Sequence, residues 1–394
     1  MRKIGFVTPW YGAGNTGGAE TELSDLVLHL SKAGIPLEVL TTCAKSFRDD
    51  WNVNHYREGS KQENGILVRR FPVRKRDTAA FDAVNAKLIR GEKITAAEEK
   101  VFCREMINSP RLYEFIQKKQ SEYEAFVFIP YMFGTTYYGC QACLEKAVLI
   151  PCLHDESYAY MQCFRDAFSK VRGMVFNAEP ERILAKRLYG VEGDGFVTFG
   201  IGMDTDWSFD AARFRRKYKI DDPFVLYAGR KEAGKRVDVL ASHFALYKKR
   251  HNDRLKLVMI GGGQIENPDQ TNIIDLGFVD KQDKYDAYAA ASVFCNPSEM
   301  ESFSLVIMES WLAGRPVLVN GACAVTRDFV CQSNGGLYFE NYWEFEKCLE
   351  YMMEHRDISD QMGRNGGAYV REHFAWNVII RRYREFFDRI GERA

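Results

Sequence analysis

The sequence predicts an α/β protein built from two Rossmann-like, doubly wound domains. Three observations carry that expectation. The chain has 394 residues, too many for one ordinary core, so two domains of about 200 residues each are expected. Short apolar runs alternate with amphipathic helical stretches along most of its length, the pattern of βα units. These apolar runs fall into two successive sets. Between them lies a loop-like stretch from Gly200-Ile-Gly-Met-Asp204 to Asp221-Asp-Pro223.

Taken in order, the first set of strands is expected at Lys3–Thr8, Leu37–Thr41, Ile66–Phe71, Ala125–Ile129, Ala147–Pro151, Gly173–Phe176 and Phe196–Phe199. The second is expected at Phe224–Tyr227, Leu255–Ile260, Ile274–Leu276, Ser292–Cys295, Pro316–Val319 and Gly336–Tyr338. From Trp343 onward the chain reads as three helices. The expected boundaries are 1–200 for a first domain, 201–375 for a second and 376–394 for a last helix returning to the first. Lys75 to Tyr123 carries no strand signal. Ala79–Ile89, Ala96–Met106 and Arg111–Ser121 read there as helices with mixed surfaces. This is a helical insertion at about 75–123 in the first domain, to be read as a lid, a membrane-docking face or padding.

Composition narrows the class. Lys+Arg and Asp+Glu balance at 54 each, so no global field draws the chain to nucleic acid. The apolar fraction of 46% and charged fraction of 27% are those of a globular protein. No stretch approaches the roughly 18 apolar residues of a membrane span. Met1-Arg-Lys-Ile-Gly-Phe-Val-Thr-Pro reads as a strand entering a loop rather than as a signal peptide. The ten cysteines are scattered, and Cys152 and Cys295 lie in apolar runs, as reduced buried thiols do. The cytoplasm is the expected compartment. Cys140-x-x-Cys143 lacks a second pair at zinc-finger spacing, so no metal is expected there.

The chain is organised around Asn296-Pro-Ser-Glu-Met-Glu301-Ser302-Phe303-Ser304-Leu305-Val-Ile-Met-Glu309-Ser-Trp-Leu-Ala-Gly314. A helix should begin near Ser304 and stop at Gly314, where a left-handed cap costs little. Its first amides lack internal partners and its dipole is positive there, so a phosphate fits. Glu301 precedes that end and Glu309 lies inside the helix. Carboxylates do not suit phosphate, but they accept hydrogen bonds from sugar hydroxyls on either side of it. A diphosphate with a sugar at each end, a nucleotide sugar, fits the arrangement.

This segment resembles the E-x7-E motif of glycosyltransferase family 4, retaining enzymes of the GT-B fold. The family pattern Glu-Gly-Phe-Gly-Leu reads here Glu301-Ser302-Phe303-Ser304-Leu305, with both glycines replaced by serine. The resemblance implies two domains facing across a cleft that holds the active site. Ser302, Phe303, Ser304 and Leu305 would offer amides to the donor diphosphate, Glu309 would hold ribose, and Glu301 would hold donor sugar hydroxyls and stabilise an oxocarbenium-like state.

Other loops extend the resemblance. Gly12-Ala-Gly14-Asn-Thr-Gly17-Gly18-Ala-Glu20 contains G-x-G-x-x-G, with Glu38 about twenty residues on, which invites a dinucleotide reading. The register is poor, because Pro9-Trp10-Tyr11 separate the strand from the first glycine. The helix should begin at Gly18. The stretch is similar to the family's Gly-Gly-Ala-Glu loop, which implies that Gly17 and Gly18 face the donor diphosphate. His154-Asp155 matches the family's His-Asp pair, so His154 would bond the donor sugar. Phe176-Asn177-Ala-Glu-Pro-Glu-Arg resembles a helix start of the family.

Gly229-Arg230-Lys-Glu-Ala-Gly-Lys235-Arg236 resembles its Gly-Arg-x-x-x-x-Lys-Gly motif, with Arg236 in place of glycine. Arg230 and Lys235 would neutralise the leaving diphosphate, where other enzymes use a metal. Lys231 and Arg236 are expected to face solvent. Gly261-Gly262-Gly263 should let the backbone approach the nucleotide, and Gly277-Phe278-Val279 matches where the family holds the base.

Two clusters stand outside this scheme. Asp204-x-Asp206 has the form of a metal-binding pair but sits at the family's Asn-Gly-Val-Asp turn. Arg69-Arg-Phe-Pro-Val-Arg74-Lys-Arg76 reads as a solvated face, with contact to anionic lipid as its alternative. The resemblance as a whole implies metal-free, cofactor-free transfer of a sugar from a UDP- or GDP-sugar to a saccharide or lipid-linked acceptor. With a lipid-linked acceptor comes peripheral contact with the inner face of a membrane. A sugar-nucleotide epimerase, a non-catalytic binder and an NAD enzyme are the rival readings.

Overall fold

A computed structural model describes residues 2–12, 14 and 17–392. Ala13, Asn15 and Thr16, within the first glycine loop, lie outside the described residues. The chain divides into two compact units. One holds the residues up to Gly202 and those from Trp376 onward; the other is Met203–Ala375.

The first unit runs β1 (Lys3–Thr8), α1 (Gly18–Lys32), β2 (Leu37–Thr42), β3 (Gly59–Glu63), β4 (Ile66–Phe71), α2 (Thr78–Ile89), α3 (Ala96–Glu105), α4 (Pro110–Lys119), β5 (Tyr123–Phe128), α5 (Gly134–Gln141), β6 (Ala147–Leu149), α6 (Gln162–Phe168), β7 (Gly173–Phe176), α7 (Glu179–Tyr189) and β8 (Phe196–Thr198). Its strands stand in the order β3-β4-β2-β1-β5-β6-β7-β8. All neighbours are parallel except β3 and β4.

Strand β3 has no counterpart among the expected strands. Its sequence Gly-Ser-Lys-Gln-Glu has no apolar member and its side chains are largely exposed, so apolar patterning is blind to it. The turn after it was the available signal. Asn64 and Gly65, with φ of 50° and 80°, make the Asn-Gly hairpin turn that needs positive φ at both central positions.

The helical insertion packs into the core of the first unit. Helix α2 is capped by the Asp77 side chain and α3 by a capping box of Thr95 and Glu98. Phe81, Val84 and Leu88 of α2, Phe102 and Cys103 of α3, and Leu112 and Ile116 of α4 are buried in the same core as Phe126 and Phe128 of β5.

The second unit runs α8 (Ala211–Tyr218), β9 (Phe224–Ala228), α9 (Val237–Arg250), β10 (Lys256–Ile260), β11 (Ile273–Asp275), α10 (Lys281–Ala290), β12 (Val293–Asn296), α11 (Leu305–Leu312), β13 (Val317–Asn320), α12 (Ala324–Ser333), β14 (Gly336–Phe339), α13 (Tyr342–Glu354) and α14 (Arg356–His373). Its strand order is β11-β10-β9-β12-β13-β14, parallel throughout. The last helix, α15 (Trp376–Glu392), lies on the first unit. There Trp376 stacks on His29 at 3.8 Å, and Tyr383, Phe386 and Phe387 are buried.

Each sheet grows in one direction and then restarts on the other side of its first strand. In the first unit the reversal lies between β1 and β5, in the second between β9 and β12. At such a switch the loops leaving the two adjacent strands diverge, and a crevice opens at their carboxyl ends where ligands gather.

Candidate active site

The switch of the second unit is flanked by the turn after β9 and the turn after β12. From the first, Lys235 Nζ lies 2.9 Å from Glu301 Oε1 in the second. An Asn296 Nδ2 that donates to Ser304 Oγ at 3.0 Å stands beside the same carboxylate. One step further along the two turns, Arg236 Nη1 pairs with Glu299 Oε1 at 3.2 Å. Two ion pairs thus bridge the crevice, both within reach of solvent. Arg236 therefore does not simply point outward. Arg230 is about half exposed and pairs with Glu232 at 3.3 Å.

Helix α11 begins at Leu305, and its N-cap Ser304 makes no side-chain capping bond. The Ile307 amide donates to the Ser304 carbonyl at 3.2 Å, so the amides of Leu305 and Val306 are those left for an external acceptor. Ser304 has φ 82° and ψ 77°, in left-handed space. Arg236, the N-cap of α9, is also left-handed with φ 54° and ψ 31°. Both stand where the family pattern has glycine, and both keep glycine's backbone shape at a conformational cost. Ser302 does not show positive φ. The Phe303 ring is buried against Phe329 and Phe374, at 5.3 and 5.0 Å. Only its backbone is therefore available to a ligand.

Lys231 corrects the sequence reading. Its side chain is fully buried, not solvated. The ammonium donates to the Gly261 carbonyl and pairs with Asp275 Oδ1 at 3.0 Å, while its amide donates to the Gly262 carbonyl at 2.7 Å. One side chain stitches the ends of β9, β10 and β11. A Cβ at Gly261 would lie 2.0 Å from the Gly229 carbonyl oxygen and one at Gly263 2.6 Å from that of Lys231. These glycines are required by strand-end packing, and the exposed Gly262 between them is open to approach. Beyond β11, Phe278 is 86% exposed and Val279 half-buried. An aromatic ring so exposed, set on a glycine turn, offers a stacking face.

Glu309 is buried in α11. Its Oε1 meets Lys284 Nζ at 2.6 Å and its Oε2 accepts from the Tyr288 hydroxyl at 2.8 Å. Burial, and then the Glu309 carboxylate, push the Tyr288 phenol well above its ordinary range, so it stays a donor. The sequence reading missed both partners, which come from α10, although Lys284 and Tyr288 lie one turn apart and so share a helix face.

The first unit holds the remaining site residues. Gly17 caps α1 with extended backbone and Gly18 starts the helix as expected. Glu20 is held by the Trp10 indole at 2.7 Å. His154 is half-buried after β6, with Nδ1 3.7 Å from Glu156 Oε1. The residue before it is anchored from below. Glu181 accepts the Leu153 and Asn177 amides at 2.6 Å each, and Glu22 accepts Asn177 Nδ2 at 3.0 Å. Burial raises Glu22 to about 7 and Glu181 to about 8.

Four other features of the sequence find these settings in the structure. Glu38 is buried near the start of β2, where it pairs with Arg69 and Lys3 and accepts from the Tyr123 hydroxyl. That is the amino end of the strand, away from any ribose at the carboxyl edge. Arg69, Arg70 and Arg74 are matched by Glu38, Glu63 and Glu105, and Arg76 lies over Trp51 and Phe81, so the basic run is largely neutralised within its own unit. Cys140 and Cys143 are buried and bond backbone carbonyls within α5. Asp204 and Asp206 lie exposed in a loop. The described residues contain one cluster suited to a metal, His251 with Glu346 and Glu350, behind α9 and α13. No described helix is long and apolar enough to cross a membrane.

Residues 209–368 match the family model for glycosyl transferases group 1. The D-inositol 3-phosphate glycosyltransferase of Acidothermus cellulolyticus is 30% identical over 187 residues, 41% of this chain and 42% of that protein. The chain spans about half the length of the curated relatives it matches. Among solved structures, sucrose-phosphate synthase from Thermosynechococcus elongatus superposes with a TM-score of 0.73 at 14% identity, covering 100% of both chains. Anabaena HepE in complex with UDP gives 0.71 at 16% identity, covering 98% of this chain and 99% of that one, and HepE is also known with UDP-glucose. Residues 209–368 thus carry a glycosyl transferases group 1 segment, on a chain with the two-domain α/β architecture of GT-B glycosyltransferases.

Proposed function

We propose that the chain is a retaining glycosyltransferase moving a sugar from a nucleoside diphosphate sugar to an acceptor hydroxyl without a metal. The observation that carries the reading is the charged switch crevice of the second unit. Lys235 and Glu301 meet beside the free amide end of α11, so a cation, a helix dipole and a carboxylate converge on one spot. The diphosphate would sit on the amides from Ser302 to Leu305, with Lys235 and Arg230 offsetting the charge that grows as the glycosidic bond breaks. Arg236, one residue beyond Lys235, adds a third cation to that side. Glu301, released from Lys235 by the incoming phosphate, would accept donor sugar hydroxyls. Glu309, Lys284 and Tyr288 would form the ribose end, and Phe278 would stack on the base. UDP-glucose is the first donor to test, since it is the ligand of a structural neighbour. Gly17, Gly18 and His154 keep the donor contacts that the resemblance implies for them, and the acceptor would be a saccharide, free or lipid-linked. A lipid-linked acceptor would bring the enzyme to the inner membrane face as a peripheral protein.

The test is a thermal-shift screen of UDP, GDP and their sugars, followed by assay of nucleoside diphosphate release with and without EDTA. A ligand that binds the native state raises the melting temperature in proportion to its concentration over Kd. Stabilisation by one nucleotide series, with EDTA-insensitive release from its sugar, is expected. No stabilisation by any donor would end the reading, and an isomerised donor would convert it to an epimerase.

A further inference from the structure

The switch crevice of the first unit has the same topology as that of the second but is filled with aromatic rings. Trp10 follows β1 and Phe133 follows β5, the two strands at the switch, and their rings meet edge to face at 4.9 Å. Trp51, from the loop after β2, packs on both, at 5.7 Å from Trp10 and 5.9 Å from Phe133. These three are buried, at 3%, 7% and 8% exposure. Phe47 lies over them, 5.7 Å from Trp10 and 5.9 Å from Trp51, and is 55% exposed. It is held in place, because the Trp51 indole donates to the Phe47 carbonyl at 3.0 Å. The Thr42 hydroxyl, donating to the Pro9 carbonyl at 2.6 Å, ties its loop to the one after β1. A lone exposed phenylalanine needs no explanation. One that is braced on three buried aromatic rings, at the carboxyl edge beside a topological switch, is built to meet a ligand.

We propose that Phe47 is the platform of a saccharide subsite, stacking on the apolar face of a pyranose ring in the acceptor. This rests on the transferase reading above. The collar of the ring selects the ligand class. Lys45 and Asp49 pair at 3.4 Å, and the Ser46 hydroxyl donates to the same Asp49 at 2.5 Å. Asn52 stands on the Thr78 hydroxyl at 3.1 Å. A hydrocarbon chain needs a continuous apolar strip, whereas here Val53 is the other exposed large apolar side chain of the loop. A pyranose needs one aromatic face for its polarised C–H groups and polar partners around the rim for its hydroxyls. His154 leaves β6, which adjoins β5, so platform and His154 lie along one edge.

Ligand-observed saturation-transfer NMR tests this with methyl α-glucopyranoside, methyl α-mannopyranoside and methyl α-galactopyranoside. Glycerol and hexanol serve as the non-ring controls, on wild type, Phe47→Ala and Phe47→Trp. At least one pyranoside should bind wild type, bind Phe47→Ala about fivefold or more weakly, and bind Phe47→Trp about as well as wild type. UDP affinity by calorimetry should be equal in the three proteins, and an unchanged melting temperature confirms that the exposed ring is not needed to fold. The proposal is overturned if no pyranoside binds, if Phe47→Ala binds as well as wild type, if Phe47→Trp is as weak as alanine, or if hexanol outcompetes the sugars. The UDP arm keeps the two readings apart. Wild type that binds pyranosides but not UDP would defeat the transferase assignment and leave the platform standing.

Discussion

The two units solve one topological problem with opposite chemistry. Both sheets reverse beside their first strand, and both place two turns at the reversal. In the second unit those turns meet through Lys235–Glu301 and Arg236–Glu299, charges that stay within reach of water. In the first they meet through Trp10 and Phe133, which are largely buried. The backbone topology therefore says where a ligand goes, and the side chains at the reversal say what it is. A crevice of partly exposed ion pairs is ready to trade internal partners for a ligand's charge. A crevice filled with rings offers mainly a face, its nearby charges Glu20 and Arg76 being engaged with Trp10 and Trp51.

The largest expected effect would break the charged half of this contrast. Lys235→Ala should lower kcat/KM by about 10²-fold or more, as removal of one preorganised charge partner costs about 3 kcal/mol. Arg230→Ala should cost at least about tenfold less than that, because its guanidinium is half exposed and already shared with Glu232. Steady-state kinetics on both variants decides it. Equal losses would mean that Arg230 swings into the site when donor binds, and no loss in either would remove the diphosphate from this crevice.

Glu301 and Glu309 sharpen the comparison within the second unit. Glu301 is paired at the crevice mouth, whereas Glu309 is buried with Lys284 and Tyr288. Glu301→Gln should lower kcat strongly and leave affinity for the bare nucleoside diphosphate within about threefold, since its carboxylate matters most as charge develops on the sugar. Glu309→Gln should weaken bare nucleotide and donor alike. It should also lower the melting temperature, because Lys284 loses its charged partner. Calorimetry with the nucleotide, beside single-turnover kinetics and a melting scan, separates the two. The reverse pattern would exchange the roles of the motif's ends.

What the sequence disclosed follows from range. The strands other than β3, the start of α1 at Gly18 and the helices of the insertion were legible because apolar periodicity, caps and glycines are local signals. The strand, turn and helix that carry Glu301 and Glu309 were legible for the same reason. The partners were not. Lys231 looked solvent-facing because it follows an exposed arginine in a glycine-bounded turn, yet it is buried among the ends of three strands. Nothing within ten residues of it names Asp275. The Phe47 platform was equally hidden, since its rings come from loops after three different strands. The arginine run from Arg69 was misleading in another way, because its acidic partners come from separate elements.

Carboxyls extend the contrast below the surface. In the second unit Glu299 and Glu301 are partly exposed and paired with cations, whereas in the first Glu22 and Glu181 are buried, with no salt bridge to either among the described residues. Cys152, Asn177, His154, Glu20 and Tyr383 surround that pair. Burial lifts their values from 4.5 to about 7 and about 8. Between those limits the native state binds more protons than the unfolded chain, so stability should fall as pH rises from about 5 to about 8. Urea midpoints across that window should drop in wild type. Glu22→Gln should flatten the slope by about 1–3 kcal/mol over the range. A slope unchanged in the variant would show that Glu22 does not take up the proton.

The smallest effect tests what the charged crevice costs its own unit. Ser304 and Arg236 hold left-handed backbone, φ 82° and 54°, at the two turns flanking the β9–β12 switch. None of the four rings of the aromatic crevice, Trp10, Phe47, Trp51 and Phe133, stands on a positive-φ residue. A side chain in that region costs about 1 kcal/mol relative to glycine. Part of the gain on substitution is lost again to the greater freedom of glycine in the unfolded chain. Arg236→Gly gives up an ion pair whose partners are each about two-fifths exposed, and such pairs contribute little. It should therefore raise stability by about 0.5 kcal/mol. Ser304→Gly also loses the bond from Asn296 Nδ2 at 3.0 Å, a buried contact contributing about 1 kcal/mol, so it should be neutral or slightly destabilising. Chemical denaturation resolves the sign of each. If Arg236→Gly gains stability and loses turnover, the strained cation is retained for the diphosphate. If it gains stability and keeps full turnover, Arg236 belongs to the surface, and Lys235 carries the charge of this turn alone.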